Sequence, residues 1–238
     1  MEKTDNFSEI KQEILDRARR AEACYPEYGR AAAAETLGDL CTVIKDNFNW
    51  CCRNGVIDAP LLEKYKSDFA ACDIYVNTDA ERGFMLCDGN ATVDAWNDAT
   101  VVACGNAKVV AYDNATVDAW NDATVAACGN AKVKAYDNAT VKAWNNAKVK
   151  ACGNATVVAY GNTSVEACGN AKVKAWNNAT VEAYGNTTVE AWNNAYCSSC
   201  SLIECKLSDN ALYRVQSTNT VYYANDSMKF RKQEGGAG

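Results

Sequence analysis

Cysteine is the residue type in this chain best placed to do chemistry. Cys197-Ser198-Ser199-Cys200, followed by Cys205, has the CxxC spacing of zinc ligands and dithiol redox centres. Structural zinc needs four thiolate or imidazole ligands, yet the chain carries a single CxxC and no His. Cys197 and Cys205 also fall at positions that the surrounding pattern turns inward, so no metal is expected. Cys51-Cys52 offers no better site, because adjacent side chains diverge around a helix. Without His, the usual acid/base residue near neutral pH is missing. There is no glycine-rich phosphate loop and no nucleophile elbow, and the acidic residues of the central region are scattered over exposed positions. No enzyme activity and no cofactor are expected.

Aromatic side chains are the second candidate. Trp96, Tyr112, Trp120, Tyr136, Trp144, Tyr160, Trp176, Tyr184 and Trp192 stand at the eighth place of an eight-residue phrase, with Cys filling the same place in other copies. Beside turns, they suit either an outward platform for sugars, bases or a protein, or ladders that stiffen an edge. The structural ladder is preferred. The third candidate is a column of amides at Asn90, Asn106, Asn114, Asn130, Asn138, Asn146 and Asn154. Stacked amides that satisfy turn backbone explain these better than ligand binding does.

These residues need an element that repeats as they do. From Gly89 to Trp192 the phrase is written thirteen times without a gap, and a broken copy, NNAYCSSC, ends at Cys200. Its first place is Gly, Asn or Asp and its second Asn or Asp, the residues of tight turns. Its third, fifth and seventh places are nearly always Ala, Val, Ala, while the fourth and sixth are mostly Thr, Lys, Asp, Glu or Val. Period-two alternation with one small apolar face is a strand buried on that face. A turn every eight residues excludes a helix, so the region reads as a parallel β-solenoid.

Two coil sizes compete. Three octads per coil would follow a 24-residue super-period visible in the eighth place, Trp, Cys, Tyr. It would also stack Lys108 on Lys132 and Asp94 on Asp118, which is unfavourable one strand apart, and leave a tube too wide for Ala and Val to fill. Two octads per coil avoid most such stacks and close two thin sheets without a void. The two-octad form is preferred, with seven coils spanning about 34 Å at the strand spacing.

Residues 1–72 read as a small helical bundle. Phe7, Ile10, Ile14, Ala18 and Ala21 form one apolar stripe, Leu37, Cys41, Ile44 and Phe48 a second, and Leu62, Tyr65, Phe69 and Cys72 a third. The bundle is expected to cap or pack against one end of the solenoid. Residues 73–88, with Ile74-Tyr75-Val76 and Phe84 to Cys87, make a transition coil. Residues 89–200 are the solenoid and 201–232 degenerate coils and cap, with Tyr213, Val215, Val221 and Tyr223 inside. Met228 to Lys232 would cover the last edge, and 233–238 form a disordered tail.

Net charge is −6, and no region is basic enough to favour nucleic acid. The N-terminus has no secretory h-region and no stretch reaches membrane-span length. A cytoplasmic protein is expected, its cysteines held as thiols.

The phrase Gly/Asp-Asn-Ala-x-Val-x-Ala-aromatic resembles the octapeptide β-solenoid proteins encoded by gut bacteria, their phages and mobile elements, which pair a helical N-terminal region with such a repeat. The likeness is close over the repeat and looser at ETLGDLCTVIKDNFNW and IECKLSDNALYRV. It implies the fold and a phage or mobile-element origin, and no activity. The expectation is a non-enzymatic scaffold that binds a protein partner or itself, such as an inhibitor of a host protein. Carbohydrate or nucleic-acid binding through the aromatic edge, or a role in an assembly, are the alternatives.

Overall fold

A computed structural model describes residues 6–224 and 231–233. Six helices come first among these residues: α1 (Phe7–Arg20), α2 (Tyr25–Ala33), α3 (Leu37–Asp46), α4 (Phe48–Arg53), α5 (Ala59–Lys64) and α6 (Lys66–Ala70). The three apolar stripes correspond to α1, to α3 with α4, and to α5 with α6. Helix α2 is an addition that the sequence reading treated as a boundary. Pro26 lies in its first turn, where a missing N–H costs nothing. Thr36 and Asp39 form a capping box that starts α3.

Short strands follow. The transition coil holds β1 (Ile74–Val76) and β2 (Phe84–Cys87). The octads give β3 (Thr92–Ala95), β4 (Thr100–Ala103), β5 (Lys108–Ala111), β6 (Thr116–Ala119), β7 (Thr124–Ala127), β8 (Lys132–Ala135), β9 (Thr140–Ala143) and β10 (Lys148–Ala151). They continue as β11 (Thr156–Ala159), β12 (Ser164–Ala167), β13 (Lys172–Ala175), β14 (Thr180–Ala183), β15 (Thr188–Ala191) and β16 (Tyr196–Ser199). The degenerate coils add β17 (Glu204–Leu207), β18 (Leu212–Val215), β19 (Thr220–Tyr223) and β20 (Arg231–Gln233).

The coil has two octads. Each solenoid strand pairs in parallel with the strand sixteen residues on, as in Val149↔Val165 and Ala151↔Ala167. Even-numbered strands form one sheet, which β1 begins and β19 and β20 extend to twelve strands, and odd-numbered ones from β3 to β17 form a second of eight. Third, fifth and seventh places face inward, and in β6 Val117 and Ala119 are 0% exposed. In the regular octads methyl and isopropyl groups fill nearly all of the gap between the sheets, which is why Ala and Val dominate the sequence. Where Thr replaces the third-place Ala, its buried hydroxyl bonds the turn carbonyl, 2.6 Å from Thr163 to Tyr160 and 2.7 Å from Thr187 to Tyr184.

Most corners share one pattern. The third-place N–H donates to the eighth-place carbonyl before it, 3.1 Å from Ala99 to Trp96, and the first-place residue between them has positive φ. Gly, Asn and Asp are the residues that tolerate this. At Gly169 φ is +72° and an added Cβ would lie 3.0 Å from the Gly153 carbonyl of the coil below. Gly169→Ala is therefore expected to destabilise by about 1–2 kcal/mol, and Asn145→Gly, where φ is 60°, to be near neutral. Urea midpoints of the two variants check this.

The C-terminal coil departs from the expected register. Tyr213 and Val215 do face inward, 2% and 3% exposed, but β19 turns back antiparallel to β18 and pairs Tyr213 with Tyr222 and Val215 with Thr220. Thr220 and Tyr222 thus lie on the inner side, in place of Val221 and Tyr223. The cause is the turn at Gln216–Asn219, where Asn219 (φ 49°) donates its N–H to the Gln216 carbonyl. Strand β20 pairs with β19, while Met228 to Phe230 and 234–238 lie outside the described residues.

The helical head does more than cover an end. Its core includes Leu86 and Val102, which point outward from the twelve-stranded sheet. Phe48 meets Phe84 edge-on at 5.2 Å, the Arg53 guanidinium lies 3.6 Å from the centroid of the Trp120 ring, and Asn49 hydrogen-bonds Asp118. The head sits on the outer face of the first coils.

Candidate functional site: the solenoid corners and the open sheet

The sixteen-residue coil sorts the nine aromatic residues onto two corners. Trp96, Tyr112, Trp144, Tyr160, Trp176 and Trp192 follow strands of the eight-stranded sheet, with Cys128 breaking the series. Trp120, Tyr136 and Tyr184 follow strands of the longer sheet, with Cys104, Cys152, Cys168 and Cys200 between and around them. On the first corner Trp144, Tyr160, Trp176 and Trp192 form a continuous stack, with centroids 5.9, 5.0 and 4.4 Å apart and ring planes within 17° of parallel. Trp96 and Tyr112 stack at 6.0 Å. On the second corner Trp120 and Tyr136 stack at 3.8 Å, and Arg53 covers the outer face of that pair.

Stacking along the axis has a chemical consequence. Rings within a ladder present their faces to one another and their edges to solvent, so a sugar or base finds a free face only where a ladder ends. This geometry stiffens the corner and makes a poor platform for a polymer.

Amide ladders run along both corners. On one, Asn138, Asn154, Asn170 and Asn186 each donate to the side chain sixteen residues before, at 3.2–3.4 Å. On the other, Asn162, Asn178, Asn194 and Asn210 do the same at 3.4–3.5 Å, beginning from Asn146. Asn106, Asn114 and Asn130 bind coil to coil through backbone, for example 2.7 Å from the Asn130 N–H to the Asp113 carbonyl. Asn90 stands exposed at the first corner of the series.

The CxxC motif does not converge. Cys197 is buried inside the coil, where a hydrogen bond with Cys205 and then burial push its thiol far up, while Cys200 is exposed. Burial raises Cys87 to about 12 and Cys104 to about 11, values at which a thiol is a weak nucleophile near neutral pH. One pair corrects the reading of all cysteines as thiols. Cys152 and Cys168, stacked on one corner with Cα atoms 4.8 Å apart, form a disulfide. In-register neighbours on a parallel ladder lie within disulfide reach, so the sixteen-residue coil brings together what a 24-residue coil would separate. A reducing compartment opposes this bond. Thiol titration in denaturant is expected to find eleven of the 13 cysteines before reduction and all of them after.

The outer face of the longer sheet was not singled out in the sequence, although adding sixteen to each position would have shown it. Past the head it carries Lys132 and Lys134 on β8, Lys148 and Lys150 on β10, Glu166 on β12 and Glu182 on β14. Tyr196 and Leu212 follow on β16 and β18, 36% and 40% exposed. The coil does not avoid like-charge neighbours here, since Lys132 stacks on Lys148, Lys134 on Lys150 and Glu166 on Glu182. Bridges form only at the borders, Lys134 to Asp118 at 3.6 Å and Lys150 to Glu166 at 2.8 Å. Among the described residues Lys132 and Lys148 have no ion-pair partner. The head contributes a cavity of about 310 Å³ between α1, α2, α3 and α4.

No model of a known protein family, no curated protein and no solved structure matches the chain. Among the described residues no helix is long and apolar enough to cross a membrane.

Proposed function

We propose that this protein is a non-enzymatic scaffold that holds a protein partner against the open part of the twelve-stranded sheet, beside the helical head. One observation carries the reading: the head covers the outer face through Leu86 and Val102, and beyond it the sheet is bare and banded. A basic band at Lys132, Lys134, Lys148 and Lys150 is followed by an acidic one at Glu166 and Glu182, then by Tyr196 and Leu212. Like charges kept side by side are unfavourable for the fold alone and favourable for a partner with the opposite bands. Among the described residues, four of the six exposed large hydrophobic ones, Tyr184, Tyr196, Leu202 and Leu212, lie in the last coils, extending the surface.

A second copy fits this face poorly. Laid sheet to sheet with the strand order reversed, its last coils would meet the head. Laid in the same order, the two heads would meet. The partner is therefore a different protein, and the resemblance to proteins of phages and mobile elements makes a host protein the class to test first.

The test is capture from host lysate by wild type and by the variant carrying Lys132→Glu, Lys134→Glu, Lys148→Glu and Lys150→Glu together. A stoichiometric partner held by wild type and lost by the variant, with unchanged circular dichroism, is the expected result. Equal capture by both proteins, or by neither, sinks the proposal.

A further inference from the structure

We propose that the helical head contains a binding site for a compact apolar ligand that ends in an amine. The space is built by small residues. Ala18 on α1 and Ala31 on α2 form its floor, and Leu40 and Ile44 on α3, 0% and 2% exposed, form one wall. Trp50 on α4 stands at the mouth, 36% exposed. The volume, about 310 Å³, lies at the lower end of the range for small-molecule pockets, and apolar lining with few convergent polar groups is their usual character.

Polarity at the mouth selects the ligand's end. Arg30 Nη1 and Asn47 Nδ2 both donate to Glu27 Oε2, at 2.8 and 2.9 Å, which leaves Oε1 to accept from a guest. Glu22 places a second carboxylate on the lining. No Lys or Arg is among the lining residues: Arg30 is shared between Glu27 and Asp46, at 2.8 and 2.6 Å, and Arg19 lies over the Tyr28 ring, bonded to its hydroxyl at 2.7 Å. What faces the guest is thus an excess of acceptors, and burial together with the Glu27 carboxylate pushes the Cys51 thiol up to about 12. An ammonium group meets attraction here and a carboxylate repulsion. The site lies in the head and does not depend on the proposed protein-binding face.

The experiment uses the full-length protein with labelled Ile, Leu and Val methyl groups, titrated with tryptamine and, separately, with indole-3-propionate. Tryptamine is expected to shift the Leu40, Val43 and Ile44 methyls saturably, and indole-3-propionate to bind about tenfold more weakly, the scale of one partly exposed charge contact. Ala31→Leu, or Ala18→Val if the first variant misfolds, should fill the space and abolish the shifts. Glu27→Gln should remove most of the preference for the amine. No methyl shifts at millimolar tryptamine, shifts that persist in the filled variants, or equal binding of amine and acid would overturn the proposal.

Discussion

Tyr213→Ala is expected to destabilise the solenoid by about 3–5 kcal/mol, the range for removing a large buried aromatic side chain. Most inward places hold Ala or Val, and among the described residues Tyr213 is the largest fully buried side chain, 2% exposed. It closes the bore of the last coil. Its hydroxyl is bonded to Ser199 Oγ at 2.6 Å and accepts from the Ile203 N–H at 3.0 Å. Those contacts tie β18 to the irregular chain between β16 and β17, where the phrase is broken and no Asn corner exists. Tyr213→Phe should therefore cost about 0.5–1.5 kcal/mol, the net worth of the hydrogen bond from the part-buried Ile203 N–H. Denaturant melts of the two variants separate filling from hydrogen bonding, and a loss below 1 kcal/mol for Tyr213→Ala would rule out this plug.

The second large effect belongs to the junction. Val102→Asp should cost about 3–5 kcal/mol, because it leaves an unpaired carboxylate between the sheet and the head. Val102 is 1% exposed, whereas Val110 holds the same sixth place on the opposite sheet and is only half-buried. Val110→Asp is the control, with a cost expected to stay below about 1 kcal/mol and to come from the like-charge contact with Asp94, its neighbour in register. Calorimetry of Val102→Asp should resolve a head transition ahead of the solenoid, with Trp fluorescence altered as Arg53 leaves Trp120. One unchanged transition would contradict the docking described above.

That pair of valines also marks how far the sequence could be followed. The octad, its inward Ala-Val-Ala face and its turn residues were legible because each obeys a short-range rule of period two or of positive φ. The coil size was legible by exclusion, since Ala and Val cannot fill a wider tube. Which sixth-place valine is covered was not legible, because Val102 and Val110 have near-identical neighbours and differ only in what a distant helix does. The bands of charge were hidden for a related reason: Lys134 and Lys150 become neighbours only once sixteen, and not 24, is the spacing. Helix α2 was lost to a proline that starts a helix as readily as it stops one, and the reversal at β19 to a turn outside the repeat.

The two-octad coil also governs how such a chain can change length. Losing or gaining one octad would send every downstream strand to the opposite sheet. Tyr196 and Leu212 would leave the face that carries the head, and the closing hairpin would lose its seat. Losing or gaining two octads leaves each face intact and moves the far end by one strand spacing, about 4.8 Å. The solenoid is in effect a ruler whose divisions come in pairs of octads. Copy number can then set the distance between the helical head and the apolar end without altering the chemistry of either.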